Sequence, residues 1–261
     1  MIRGIDHLVI ACADPGAAAA ELTDALGLTV SGGGRHDGRG TFNRIAWLAD
    51  GSYLELIGVD DREAALRQPV GAASVRALDE AGGGLATFAL VDDAVAATAA
   101  ALAGSGSSLG DVTRGSRTRP DGDLVEWWTA MPDTSLAADA PPFLIQHATT
   151  GAEWGNAALA GRAAFVHPIG SPVTLVGIDV ATDDPLAAAA AVHAELGLDI
   201  HAVADLAVCQ IGPHVLRYRP RREMPVPAVV RLGAAVDAPR TVELLGLRFD
   251  VARAALPVAV D

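Results

Sequence analysis

The segment ACADPGAAAAELTDALGL, residues 11–28, aligns without gaps against ATDDPLAAAAAVHAELGL, residues 181–198, and each copy follows a short apolar run. A unit that occurs twice implies a repeated supersecondary module. In both copies Asp-Pro predicts a helix start, with aspartate as N-cap and proline in the first turn, and Leu-Gly-Leu predicts the end at glycine. A weaker copy lies between them, where the apolar run Gly84 to Leu90 is followed by Asp92, Asp93 and the helical stretch Ala94 to Ala103. Extended segments near 28–31, 42–49 and 52–59 follow the first helix, and Leu124 to Ala130 and Pro142 to Ala148 follow the second. The unit therefore reads βαβββ.

At 261 residues, 51% hydrophobic and 20% charged, the chain can bury a substantial core. Its apolar runs are too short for a spanning helix and its start lacks a signal-peptide layout, so a soluble cytoplasmic protein is expected. Cys12 and Cys209 make no disulfide framework or paired metal spacing and read as buried small hydrophobes. A formal charge of −13 argues against nucleic acid and for a small-molecule ligand.

Gly4-Ile5-Asp6-His7-Leu8-Val9-Ile10, the Asp-Pro helix, Leu26-Gly27-Leu28 and Tyr53-Leu54-Glu55-Leu56 together resemble the vicinal oxygen chelate superfamily, to which glyoxalase I belongs. Within it, GGGRHDGRGTFNR, RPDGDLVEWWTAMP and PPFLIQH resemble the glyoxalase-like branch over roughly residues 1–150. The resemblance implies an α+β fold: paired βαβββ modules whose strands curl into an open, barrel-like cleft holding a divalent metal (Fe, Mn, Co, Ni or Zn). The modules are expected at 1–60 and 84–150, with 61–83 a linker and 151–261 an extension carrying a further partial βα module. That extension reads as closing the cleft or forming an oligomer contact, as in a homodimer. Activities across the superfamily include isomerisation, epimerisation, ring-opening dioxygenation, glutathione transfer and metal-free drug binding, so fold alone does not choose a reaction.

Alternation puts Ile5, His7 and Val9 on one face of the first strand and Tyr53, Glu55 and Ile57 on one face of the fourth. The resemblance places metal ligands at His7 and Glu55, whose nitrogen and carboxylate suit transition metals. In the second module Thr87 registers with His7, and threonine is a poor ligand. Aligning Leu54-Glu55-Leu56 with Ile145-Gln146-His147 makes Gln146 the further ligand and His147 a ligand-contact residue, although imidazole is the better donor and alternation lets only one of the two face the cleft. Trp127 and Trp128 are adjacent, so one enters the cleft, with Trp128 the candidate. The third copy has Gly177 where His7 would be.

The stretch GGGRHDGRGTFNR does not fit a phosphate-binding loop, which runs through Gly-Lys-Ser/Thr into a helix, whereas Gly40 to Arg44 runs into the strand-like Ile45 to Leu48. It reads as a long loop between strands, a lip on which Arg35 and His36 attract the anionic or enediol end of a ligand and Thr41 and Asn43 add polar contacts. The expected function is a metal-dependent enzyme of lyase, isomerase or dioxygenase type acting on a small oxygenated metabolite. Glu55 serves there as both ligand and base. Thr87 in place of a strong ligand supports the alternative, a metal-free binding or sequestering protein of the same fold.

Overall fold

The computed structural model describes residues 1–119 and 121–253. In chain order the elements are β1 (Ile2–Ala11), α1 (Pro15–Leu26), β2 (Ser31–His36), β3 (Thr41–Trp47), β4 (Tyr53–Val59), α2 (Arg62–Leu66), α3 (Pro69–Ala81), β5 (Gly84–Asp92), α4 (Val95–Ala103), β6 (Thr113–Thr118), β7 (Leu124–Ala130) and β8 (Phe143–His147). There follow α5 (Gly151–Trp154), α6 (Asn156–Ala163), β9 (Val173–Thr182), α7 (Pro185–Leu196), β10 (Ile200–Val203), β11 (Leu206–Ile211), β12 (His214–Pro220), β13 (Ala228–Ala234), β14 (Arg240–Leu244) and β15 (Leu247–Arg253).

The punctuation of the repeat is physical. Asp14 accepts hydrogen bonds from the backbone N–H groups of Gly16 (2.7 Å) and Ala17 (3.3 Å), and Asp184 accepts one from Ala187 (3.0 Å). Each aspartate thus satisfies donors that the helix itself leaves unpaired. Gly27 and Gly197 end their helices at φ 67° and 64°, a left-handed conformation that a Cβ disfavours.

The first two modules form one eight-stranded sheet in the order β2-β3-β4-β1-β5-β8-β7-β6, the expected pair of βαβββ units meeting at β1 and β5. The expected strand and helix of the extension are β9 and α7, and they continue into β10, β11 and β12, which completes a third βαβββ unit. β13, β15 and β14 add to it, giving a second sheet in the order β10-β11-β12-β9-β13-β15-β14. The largest core lies between the sheets, joining Leu8 and Leu54 of the first to Val180 and Phe249 of the second through Leu22 of α1 and Val192 of α7. Among the described residues no helix is long and apolar enough to cross a membrane.

Two expectations change here. The stretch from Leu28 to Val30 is not the second strand; β2 runs from Ser31 to His36, so most of the supposed glycine-rich loop is a hairpin with a turn at residues 37–40. Residues 61–83 carry α2 and α3, and α3 packs over the open face of the first sheet, with Ala73 against Val9, Ile57 and Phe143 in a second buried cluster.

Candidate functional site

The open face of the first sheet, closed by α3 and α5, encloses a cavity of about 110 Å³. Its polar wall comes from β1, β2, β3 and β4: His7, His36, Thr41, Asn43 and Glu55. Its apolar wall includes Ile45, Tyr53, Val125, Trp127, Phe143, Ile145 and Trp154. The start of α3, at Gln68 to Gly71, lines it as well.

Glu55 is buried on β4, where Oε1 accepts a hydrogen bond from Asn43 Nδ2 at 2.5 Å. The Asn43 amide is oriented by its other end, since Oδ1 accepts from Gly34 N–H at 2.9 Å. His36 lies beside them, with Nδ1 2.8 Å from Thr41 Oγ1 and Nε2 3.3 Å from Asn43 Nδ2 and 3.7 Å from Glu55 Oε1. Burial lowers the pKa of His36 below its ordinary value, an effect only partly countered by Glu55 and reinforced by Arg117 and Arg39. A neutral ring with Nδ1–H toward Thr41 and a bare Nε2 toward Asn43 satisfies the Thr41 and Asn43 contacts.

His7 faces Glu55 from β1, with Nε2 3.6 Å from Oε2, and stacks on Tyr53 with ring centroids 4.6 Å apart. Its Nδ1 is 2.7 Å from Asp6 Oδ1, which also lies 3.1 Å from His147 Nε2. Two neighbouring strand residues normally point apart, but Ile5 pairs with Leu90 and His7 with Ala89, leaving Asp6 as the extra residue of a β-bulge. Bulges re-aim side chains in this way. Burial pushes the Asp6 carboxyl up, yet the charges and hydrogen bonds of His147 and His7 hold it well below the usual carboxylate range. Asp6 is therefore an acceptor, which makes His7 Nδ1 the donor and turns Nε2 toward the cavity.

The expected residues divide as follows. His7, Glu55, His36, Thr41, Asn43 and His147 all line the cavity. Gln146 does not: Oε1 accepts from Val95 N–H at 3.0 Å, capping α4, whose N-cap residue is Ala94 and makes no side-chain cap. The motif alignment was one residue out of phase, and a one-residue slip exchanges the faces of a strand. Trp128 pairs with Gln146 and shares its face, whereas Trp127 pairs with His147 and lines the cavity. Gly115 makes room for that indole, since a Cβ there would lie 2.3 Å from Trp127 Nε1. Arg35 points away from the cavity into an ion pair with Asp60, because alternation along β2 sends His36 and Arg35 to opposite faces. Thr87, opposite Val9, is fully buried beneath the cleft with a hydroxyl that has no hydrogen-bond partner, and it does not line the cavity.

These placements decide the fit of the implied metal. Ala89 pairs with Phe143 as Val9 pairs with Glu55, so the second module offers Thr87 and an apolar ring where further ligands are implied, and Gln146 is on the wrong face. Among the described residues no three His, Cys, Asp or Glu side chains group to hold an ion. Of the implied ligands His7, Glu55 and Gln146, only His7 and Glu55 come together in the cleft.

Several cavity residues went unread in the sequence. Arg117 on β6 is buried, with Nη2 donating to Glu153 Oε1 and Oε2 at 2.8 and 2.9 Å, while Nη1 donates to Gly33 O at 3.3 Å. Arg119 takes the same Glu153 at 2.9 Å. Trp154 stacks on His147 at 3.6 Å, and the Arg162 guanidinium lies 3.3 Å from the Trp47 ring centre, with burial lowering its pKa to about 10. Arg39, in the hairpin turn, completes the wall. No sequence pattern marks these: TRGSRT has no apolar alternation, and Gly115 and Arg117 turn inward only in the folded β6.

A family model described as a glyoxalase-like domain matches residues 5–197. No curated protein matches at a significant level. The chain is similar to the crystal structure of a hypothetical protein from Staphylococcus aureus, with TM-score 0.78 and 14% identity over 96% of this chain and 99% of that one. A mutant 4-hydroxymandelate synthase from Streptomyces coelicolor has TM-score 0.52 and 13% identity over 89% of this chain and 71% of that one. A methylmalonyl-CoA epimerase variant from the same organism, in complex with 2-nitronate-propionyl-CoA, has TM-score 0.41 and 22% identity over 57% and 99%. At these identities the first two likenesses speak to fold alone.

Proposed function

This chain belongs to the glyoxalase-like branch of the vicinal oxygen chelate superfamily, and from that premise we propose that it is an enzyme transferring a proton on a small oxygen-bearing molecule, with Glu55 as the proton acceptor. The observation that carries this is the buried Glu55 carboxylate in the cavity wall, whose nearest ionisable neighbours are two imidazoles rather than an arginine or lysine. At 3.6 Å, Glu55 Oε2 and His7 Nε2 are too far apart to hydrogen-bond well, and close enough that one substrate atom reaches both.

A C–H beside a carbonyl, seated there, gives its proton to Glu55 while the C–H electron pair moves toward the carbonyl oxygen. The proton then returns from Glu55, or by way of His7, to the same or the neighbouring carbon. Asp6 keeps His7 in the tautomer this requires, and Asn43 holds Glu55 in place.

Exchange of such protons in deuterium oxide, followed by NMR over a panel of small carbonyl compounds, tests the reading. Glu55→Gln should lower the exchange rate by about 10²–10⁴-fold, and a chelator should leave the wild-type rate unchanged. A Glu55→Gln protein that exchanges as fast as wild type would overturn Glu55 as the proton acceptor, and a wild type that exchanges nothing would return the cleft to simple binding. Loss on chelation with recovery on adding a divalent metal would restore the metal-dependent reading.

A further inference from the structure

We propose that the cleft is built for a small carboxylate, with Arg39 holding the anionic end and the Trp127 ring carrying the body of the molecule; this rests on the proton-transfer reading and names its substrate class. At about 110 Å³ the cavity has room for roughly eight to ten water molecules, so the ligand is small. Two arginines line it, and they are not equivalent. Arg117 is already engaged by the Glu153 carboxylate and by Gly33 O. Arg39 has no ion-pair partner among the described residues, and its guanidinium sits 5.9 Å over the Trp127 ring.

The backbone aims this cation. Arg39 N–H donates to His36 O at 2.9 Å, and Gly40 O accepts from Asp60 N–H at 3.0 Å and Asp61 N–H at 3.2 Å. The turn is therefore pinned to the start of α2, with Arg35 taken up by Asp60 on the outside. An apolar ligand would strip water from Arg39 and return nothing, whereas a carboxylate can accept its paired N–H groups. Glu55 repels an anion, which leaves the acid group at Arg39 and the reacting carbon toward Glu55.

The test is binding of benzoate and phenylacetate against benzamide and phenylacetamide, read by tryptophan fluorescence. The acids should bind at least about 10-fold more tightly than the amides, and Arg39→Gln should remove that preference while changing amide affinity by less than about 2-fold. Arg39→Lys, which keeps the charge, should retain part of it. Arg35→Gln, outside the cavity, should keep all of it. Equal affinity for acids and amides, no binding of either acid, or an unchanged preference in Arg39→Gln would overturn the proposal. Failure of the proton-transfer reading looks different: acid preference intact, with proton exchange unaffected by Glu55→Gln.

Discussion

His36 shows at single-residue scale how the cleft couples to pH. Its folded-state pKa lies below the ordinary 6.5 because burial disfavours the imidazolium. Below pH 6.5 the unfolded chain takes up a proton that the folded state resists, so stability falls as the pH drops through this range and is regained above it. The melting temperature should therefore be lower at pH 5 than at pH 7, and His36→Gln should flatten that dependence; an equal slope in the variant would mean that other groups set it. Asp6 works in the same direction at lower pH, since its depressed pKa contributes stability above the usual carboxylate range that is lost on acidification.

Among the elements, the β2–β3 hairpin holds the most function in the least chain. Gly38 and Gly40 share the left-handed φ of 68°, but a Cβ on Gly38 would meet nothing within 4 Å, while one on Gly40 would lie 2.1 Å from Asp61 O and 2.7 Å from Ala65 N. Gly38→Ala should show the backbone penalty alone, about 1–2 kcal/mol. Gly40→Ala should lose more and should also weaken carboxylate binding, because it dislodges the turn that aims Arg39. Urea unfolding of the two variants measures the difference, and equal losses would show that docking on α2 does not hold the turn.

Across the whole molecule, the second sheet repeats the first without its chemistry. β9 bulges at Val176 as β1 bulges at Asp6, but the residue after the bulge is Gly177, at φ 155°, where a Cβ would lie 2.0 Å from Val215 O. No side chain can stand there as His7 does. The counterpart of Glu55, opposite Asp179 in the parallel pairing, is Arg217, and it joins Arg231 in ion pairs to that buried aspartate at 3.3 and 2.6 Å. Gly177→Ala should destabilise the protein beyond the roughly 0.5–3 kcal/mol of ordinary substitutions. Gly170→Ala, at φ 98° with open space around it, is the comparison; a similar small loss in both, by thermal melting, would contradict this account.

The sequence by itself determined the modules, because helix caps and hydrophobic periodicity are local: Asp14, Gly27, Asp184 and Gly197 do what their residue types dictate. It also set which face of β4 lines the cleft, so Glu55 was legible, but on β1 the bulge at Asp6 turns Ile5 into the core with Leu8 and Ile10 and leaves His7 on the cleft. Register and bulges lay beyond it. The choice between Gln146 and His147, and between Trp127 and Trp128, turned on one-residue phase, which the missing cap of α4 resolves by drawing Gln146 toward Val95. Only the tertiary structure decided which arginine of the glycine-rich stretch faces a ligand. A cation's partner is set by what approaches it in space: Asp60 reaches Arg35 across the hairpin, and Arg39 is left over Trp127, 88 positions away along the chain (127 − 39).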